Sequence, residues 1–401
     1  MTLEVSLEFS KIVNDSIVEY NYAETIALSR FGNTTIQTFK PGLFDLIGYP
    51  SKILSSAELW RYHDMMKDDQ FENLLQTVNS VSVSEFELIK STSQLIREFG
   101  VKYLGVSGTG KKALLASLNY LRIIENRVGA ENLENLKLLE IGPGCGYLGL
   151  LAFRKGYRYL ALENAQAIYL YQKNLWRSIV DSDYQELSNQ CDLASKKLSH
   201  IPWWVVADLN VKLPEFDVVI CNHALQEMDR QALMFYLQRI RNEWTQRSFG
   251  TGLVIAQGLG KKNSKGVFET FQKCGFELIE KSESGNKFES VYCWKLNNLI
   301  SQKVFAKVSD VTLKKLLVLF LIACRRGKSR SAFYLIKRII FVKFSNFEGS
   351  RLEFPSSVLR SWAINRSIDV DQLRSYFEKV IPNELTAEDK FKRYLKFGRE
   401  H

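Results

Sequence analysis

Residues 138–146 read Leu138-Leu139-Glu140-Ile141-Gly142-Pro143-Gly144-Cys145-Gly146. The apolar run Leu136–Ile141 suits a buried strand, and Tyr147–Lys155 carries a helical pattern. Between them, glycines at 142, 144 and 146 dictate a tight turn with no Cβ in the way of a ligand. The helix that follows aims unpaired backbone N–H groups at that ligand. A strand, a glycine turn and a helix open a βαβ unit, so the fold class read here is α/β with a doubly wound parallel sheet.

Working outward, the same alternation continues to residue 297. Strands are expected at Tyr157–Leu162, Trp203–Ala207, Phe216–Cys221, Gly252–Ala256, Phe276–Glu280 and Glu289–Leu296. Helices are expected at Ala165–Val180, Asp229–Thr245 and Val267–Cys274. Forty residues separate Glu163 from Trp203, which predicts an insertion around Asp181–Lys197. Residues 1–128 read as mostly helical, with amphipathic stretches at Ala57–Met66, Gln70–Val78 and Ser84–Phe99. Residues 299–401 return to a helical pattern. The expected organisation is an N-terminal helical region at 1–128, serving as lid and acceptor site, an α/β domain at 129–298 and a basic helical region at 299–401.

Composition narrows the class. With 46% hydrophobic and 24% charged residues the chain is an ordinary globular one. Its six cysteines form no C-x-x-C pair, which argues against a zinc or redox motif and for reduced thiols in the cytoplasm. Met1–Ser10 shows no basic n-region before an apolar core, so no secretory signal is expected. The net charge of +10 is uneven: residues 301–401 hold 21 Lys+Arg against 10 Asp+Glu. Within 301–347 the only acid is Asp310, against 11 basic residues. Leu316–Cys324 is apolar throughout, and its nine residues are far short of a bilayer span. The segment fits a helix on an anionic membrane, a groove for an acidic glycan or another polyanion, or a helical bundle with a charged outer face. Nucleic acid is the less favoured partner.

The ligand of the glycine turn follows from its neighbours. Dinucleotide enzymes use a related triplet, but the pattern here is G-x-G-x-G, not G-x-G-x-x-G. Glu140, two residues before Gly142, suits the ammonium of a methionine moiety. Glu163 ends the second strand, where a carboxylate accepts ribose hydroxyls. Asp208 is expected to end the third strand and to accept from an adenine amine. These features favour S-adenosylmethionine, with Glu140, Gly142, Gly144, Gly146, Glu163, Asp208 and Asn222 as its contacts.

Segment 135–297 resembles class I S-adenosylmethionine-dependent methyltransferases, through the acid-Gly-x-Gly-x-Gly motif, the ribose acid and the closing Cys274-Gly275-Phe276. A finer resemblance is to bacterial putative sugar O-methyltransferases. It rests on Tyr62-His63-Asp64-Met65-Met66 and on Val218-Val219-Ile220-Cys221-Asn222-His223-Ala224-Leu225-Gln226-Glu227-Met228. The resemblance implies transfer of a methyl group to a sugar hydroxyl of a glycan or its precursor. Such a hydroxyl needs a general base. His223 is the first candidate, with Glu227 four residues on to orient or replace it, and His63 as a third. Asp208, Glu227 and Asp229 are open to a divalent cation, but no ligand pattern fixes one and no metal is assigned.

Two rival readings remain: methylation of RNA or a non-sugar metabolite, and a non-catalytic cofactor-binding scaffold. Asn222-His223-Ala224-Leu225 stands where base methyltransferases often carry Asn/Asp-Pro-Pro-aromatic, which weighs against RNA bases. Gly105–Lys112 nearly fits a phosphate loop, but its last position is Lys112 where Ser or Thr would hold magnesium. It reads instead as a loop before a helix over the cofactor site. The expected location is the cytoplasm, with peripheral contact at the inner membrane open to the basic segment.

Overall fold

The computed structural model describes residues 7–31, 49–63, 71–106, 108, 110–129, 132–187, 196–225, 228–246, 252–258, 261–282, 290–296 and 368–380. Among the described residues four α-helices come first: α1 (Leu7–Phe31), α2 (Phe71–Val78), α3 (Val83–Phe99) and α4 (Lys111–Val128). The stretch at Ala57–Met66 forms a 3-10 turn over Ser56–Tyr62. A capping box starts α3, with Ser82 and Glu85 exchanging side-chain and backbone hydrogen bonds. Arg122 of α4 then clamps Glu85 through two nitrogens, at 2.6 and 2.8 Å. Burial opposes the charge on Glu85, but the guanidinium outweighs it and pulls the carboxyl down to about 2.

The α/β part runs β1 (Lys137–Ile141), α5 (Tyr147–Arg154), β2 (Arg158–Glu163), α6 (Gln166–Val180), β3 (Tyr184–Glu186), β4 (Leu198–Pro202), α7 (Trp203–Ala207), β5 (Val218–Asn222), α8 (Arg230–Gln246), β6 (Leu253–Gln257), α9 (Lys261–Lys273), β7 (Phe276–Ser282) and β8 (Val291–Leu296). The strands form one sheet in the order β3-β4-β2-β1-β5-β6-β8-β7. All pairs are parallel except β6–β8 and β8–β7. The doubly wound fold is therefore present, and its order reverses between β1 and β5. Both faces are covered. Leu138, Ala161 and Ile220 share a core with the N-terminal helices, α5 and α6. Leu139, Val219 and Val254 share the other with α8 and α9. The helical layer thus packs directly on the sheet, which its buried residues Val13, Ile17, Ile89, Ile96 and Leu121 explain.

One strand lies elsewhere than expected. Trp203–Ala207 is helix α7, and the strand is Leu198–Pro202. Ile201–Ala207 has every residue buried except the partly exposed Trp204, so apolar character alone does not separate strand from helix here. Pro202, at φ −76° and ψ 158°, ends the strand and starts the helix. His200 sits inside β4 with its ring stacked on Tyr169 at 3.9 Å. Burial, and then Lys173, hold it well below the usual histidine range, so it is neutral. The insertion after α6 supplies the extra edge strand β3.

The chain returns to the helical layer at α10 (Val370–Val380). Ile368–Asp369 pairs with Ser80–Val81, Arg374 meets Glu72 at 2.9 Å, and Tyr376 Oη lies 2.7 Å from Ser93 Oγ. Leu373 and Phe377 are fully buried. The basic segment 301–347 lies outside the described residues. Among those described, no helix is long and apolar enough to cross a membrane.

Phe377 packs edge-on against Phe71 at 5.9 Å. Phe377→Ala is expected to destabilise the protein by roughly 3–5 kcal/mol in a denaturant titration. A loss under 1 kcal/mol would show that α10 does not hold the helical layer.

Candidate functional site

Ligands of doubly wound sheets bind beyond the carboxyl ends of the strands, where the order reverses. Here that point lies between β1 and β5, with Glu140 paired in register to Ile220. The glycine turn leaves β1 and Asn222-His223 leaves β5, so the two segments are neighbours. Gly142 approaches Ala224 so closely that a Cβ at Gly142 would lie 2.8 Å from the Ala224 Cβ.

Helix α6 holds the turn from outside. Gln172 Nε2 donates to the Gly144 carbonyl at 2.6 Å, and Trp176 Nε1 donates to the Gly146 carbonyl at 3.1 Å. Gly146 has φ +75°, and a Cβ there would sit 2.7 Å from the Trp176 ring. At Gly144, by contrast, no described residue lies within 4 Å of an added Cβ. That side of the turn is open to a ligand.

The acids occupy different positions. Glu140 points into the buried layer beneath the turn, where it accepts a hydrogen bond from the Tyr159 hydroxyl. Burial pushes its carboxyl up to about 8; the Tyr159 bond pulls down and the Glu163 charge pushes further up. Among the described residues no lysine or arginine is ion-paired to Glu140. Glu163, at the end of β2, accepts the backbone N–H groups of Asn164 and Ala165, both at 2.8 Å. Asp208 is not at a strand end. It follows α7, where Arg30 pairs with it at 2.8 Å and Asn210 N donates to it at 3.0 Å. The misplacement follows from the misread strand.

Asn222 ends β5, and its buried Oδ1 has no hydrogen-bond partner among the described residues. His223 takes a left-handed backbone, φ +60°, rare for a side chain of this size. Its N–H donates to Gln257 O at 3.0 Å, and its ring rests over Gly258. Burial lowers the imidazole below its ordinary value, leaving it neutral near pH 7. Glu227 lies outside the described residues. His63 is buried: its Nδ1 meets Tyr171 Oη at 3.1 Å and its Nε2 meets Gly108 O at 2.7 Å. It ties the loop before α4 to Tyr147, whose hydroxyl donates to the His63 carbonyl.

The sequence reading missed the contribution of α1. Phe9, Val13, Ile17, Tyr20, Glu24 and Ala27 recur at helical spacing on its buried face. Two of them, Tyr20 and Glu24, bring polar groups to the β2–β4 edge. That mixed stripe was the available signal.

No protein-family model matches the sequence, and no curated protein matches it. Solved structures do align with it. A ribosomal-protein methylase from Lactobacillus delbrueckii subsp. bulgaricus is 12% identical over 47% of this chain and 80% of that one, with a TM-score of 0.33. A TehB-like SAM-dependent methyltransferase from Corynebacterium glutamicum is 16% identical over 46% and 98%, at 0.30. The magnesium protoporphyrin IX methyltransferase of Synechocystis PCC 6803 is 12% identical over 51% and 96%, at 0.31. Likeness of this size assigns no activity, and the fold rests on this chain's own strand order.

The raised Glu140 value sets a pH dependence. Between its ordinary value of 4.5 and about 8 the folded chain keeps a proton that the unfolded chain has lost. Stability is therefore greatest below pH 4.5 for this group and falls as pH rises to 8, by about 1.4 kcal/mol per unit at most. Glu140→Gln is expected to flatten that slope in chemical denaturation at pH 5.5 to 8. An unchanged slope would place the charge elsewhere.

Proposed function

We propose that the chain is an S-adenosylmethionine-dependent O-methyltransferase acting on a sugar hydroxyl of a glycan or glycan precursor. The observation that carries the cofactor half is the open glycine turn set beside Asn222-His223 at the point where the strand order reverses. The residues present fit the group. Gly144 leaves a space, and the orphan Asn222 Oδ1 offers an acceptor. Glu163 is a buried acid at the end of β2, suited to ribose hydroxyls, and Glu140 is a buried carboxyl near the end of β1 that a cationic ligand would draw into its charged form. Gly142, Gly144, Gly146 and Asn222 would line the cofactor; Glu163 would take its ribose and Glu140 its ammonium end.

When bound, the cofactor supplies a methyl group on a sulfonium centre, an electrophile that needs no further activation. The chain must bring a hydroxyl in line with it and remove the hydroxyl proton. His223 is the candidate for that step. It is kept neutral by burial, and its ring nitrogens make no hydrogen bond among the described residues. Its backbone bond to Gln257 and its seat over Gly258 fix the ring. Glu227, four residues on, is the candidate to orient it. The N-terminal helices serve as lid and acceptor wall. The sugar acceptor is supported by the Tyr62–Met66 and Asn222–Met228 segments, and the 301–347 charge suits an acidic glycan or an anionic membrane that carries one.

The test is transfer of labelled methyl to cell-envelope glycan fractions, with RNA and protein fractions as controls. Label in glycan is expected; label confined to RNA or protein refutes the acceptor. His223→Ala is expected to lower kcat by about 10²–10⁴-fold. S-adenosylhomocysteine affinity should stay within a few-fold. Unchanged kcat removes His223 as the base.

A further inference from the structure

Helix α1 crosses the carboxyl ends of β2 and β4. Gln166 Nε2, at the start of α6, donates to Asn21 Oδ1 at 2.8 Å, and Trp203 Nε1 donates to Glu24 Oε1 at 3.2 Å. Pro202 is in register with Glu163, so Trp203 is the first residue beyond the edge of β4. Glu24 thus stands where the sequence places a strand-end acid, while Asp208 is one helix away and paired to Arg30. Glu24 is 2% exposed and also holds Lys52.

One turn before it, Tyr20 is 5% exposed, and its hydroxyl has no hydrogen-bond partner among the described residues. Trp204 and Tyr169 fix its ring, at 4.8 and 5.1 Å between centroids. Burial first, then the charges of Glu24 and Glu163, hold the phenol well above its ordinary value, so it remains a neutral donor. A buried hydroxyl without a partner is costly, and a ligand beside Glu163 would relieve it.

We propose that Tyr20 and Glu24 of α1 bind the adenosine end of the cofactor, with the Tyr20 hydroxyl donating a hydrogen bond to it and the Glu24 carboxylate accepting from the purine amine. The inference rests on the cofactor reading above. It makes α1 a specificity element. A purine with a carbonyl in place of the amine would set acceptor against acceptor at Glu24.

Calorimetric titration of the full chain with S-adenosylhomocysteine and with its deaminated analogue, S-inosylhomocysteine, tests this. The wild type is expected to prefer the adenosine compound by at least about tenfold. Tyr20→Phe should weaken S-adenosylhomocysteine by about tenfold. Its ligand-free melting temperature should not fall, because the lost hydroxyl had no partner; a purely structural tyrosine would lower it. Glu24→Gln should narrow the preference to within about threefold, since an amide can donate to the carbonyl. Where Glu24→Gln does not fold, Tyr20→Phe decides alone. Wild-type affinity in Tyr20→Phe overturns the inference and leaves the cofactor reading standing. Failure of the wild-type chain to bind either compound refutes the cofactor reading, and this inference with it.

Discussion

Two side-chain hydrogen bonds from one helix determine what the crevice can hold. Gln172 and Trp176 of α6 take the carbonyls of Gly144 and Gly146, and so hold that loop from outside. A backbone turn with three positive-φ glycines has many accessible conformations. Donors on a rigid helix, one turn apart and fully or nearly fully buried, select one of them. Trp176 also sets the spacing between α6 and α5, because its ring fills the space over Gly146 and Gly149. The anchoring also explains why Tyr159 reaches Glu140: its ring packs edge-on against Trp176 at 6.0 Å, beneath the turn.

The helical N-terminal layer extends this order outward. Tyr147, the first residue after the turn, reaches His63, and His63 reaches the loop before α4. Polar contacts of this kind are directional, so they register the layer on the sheet where apolar packing alone would permit sliding. Within the layer, the Arg122–Glu85 pair joins α4 to the start of α3 in the same directional way.

Much of this was legible in the sequence. The glycine turn, β2, β5, β6 and the helices between them follow from period and turn chemistry, which act within a few residues. β4 was not legible, because Ile201–Ala207 is nearly all buried whichever structure it adopts. The placement of Asp208 at a strand end failed with it. Glu163 and Asn222 lie at the strand ends the pattern indicated, while Glu140 sits deeper than its neighbours suggested. The partnership of Gln172 with Gly144 spans 28 residues and has no local signature. Tyr20 and Glu24 were hidden for a related reason: polar groups on an apolar stripe read as interruptions until the surface they meet is known.

The return of the chain at Ile368 changes what the basic segment is. Leu296 ends a strand of the sheet, and Ile368 pairs with Val81 in the helical layer. The 71 residues between them therefore leave and rejoin one folded body and are not a terminal tail. Loop-closure entropy grows only with the logarithm of length, so a segment this long adds little cost beyond a shorter one. Both attachment points of the basic segment are thereby fixed on the body that holds the crevice. Any polyanion the segment attracts is kept within reach of it.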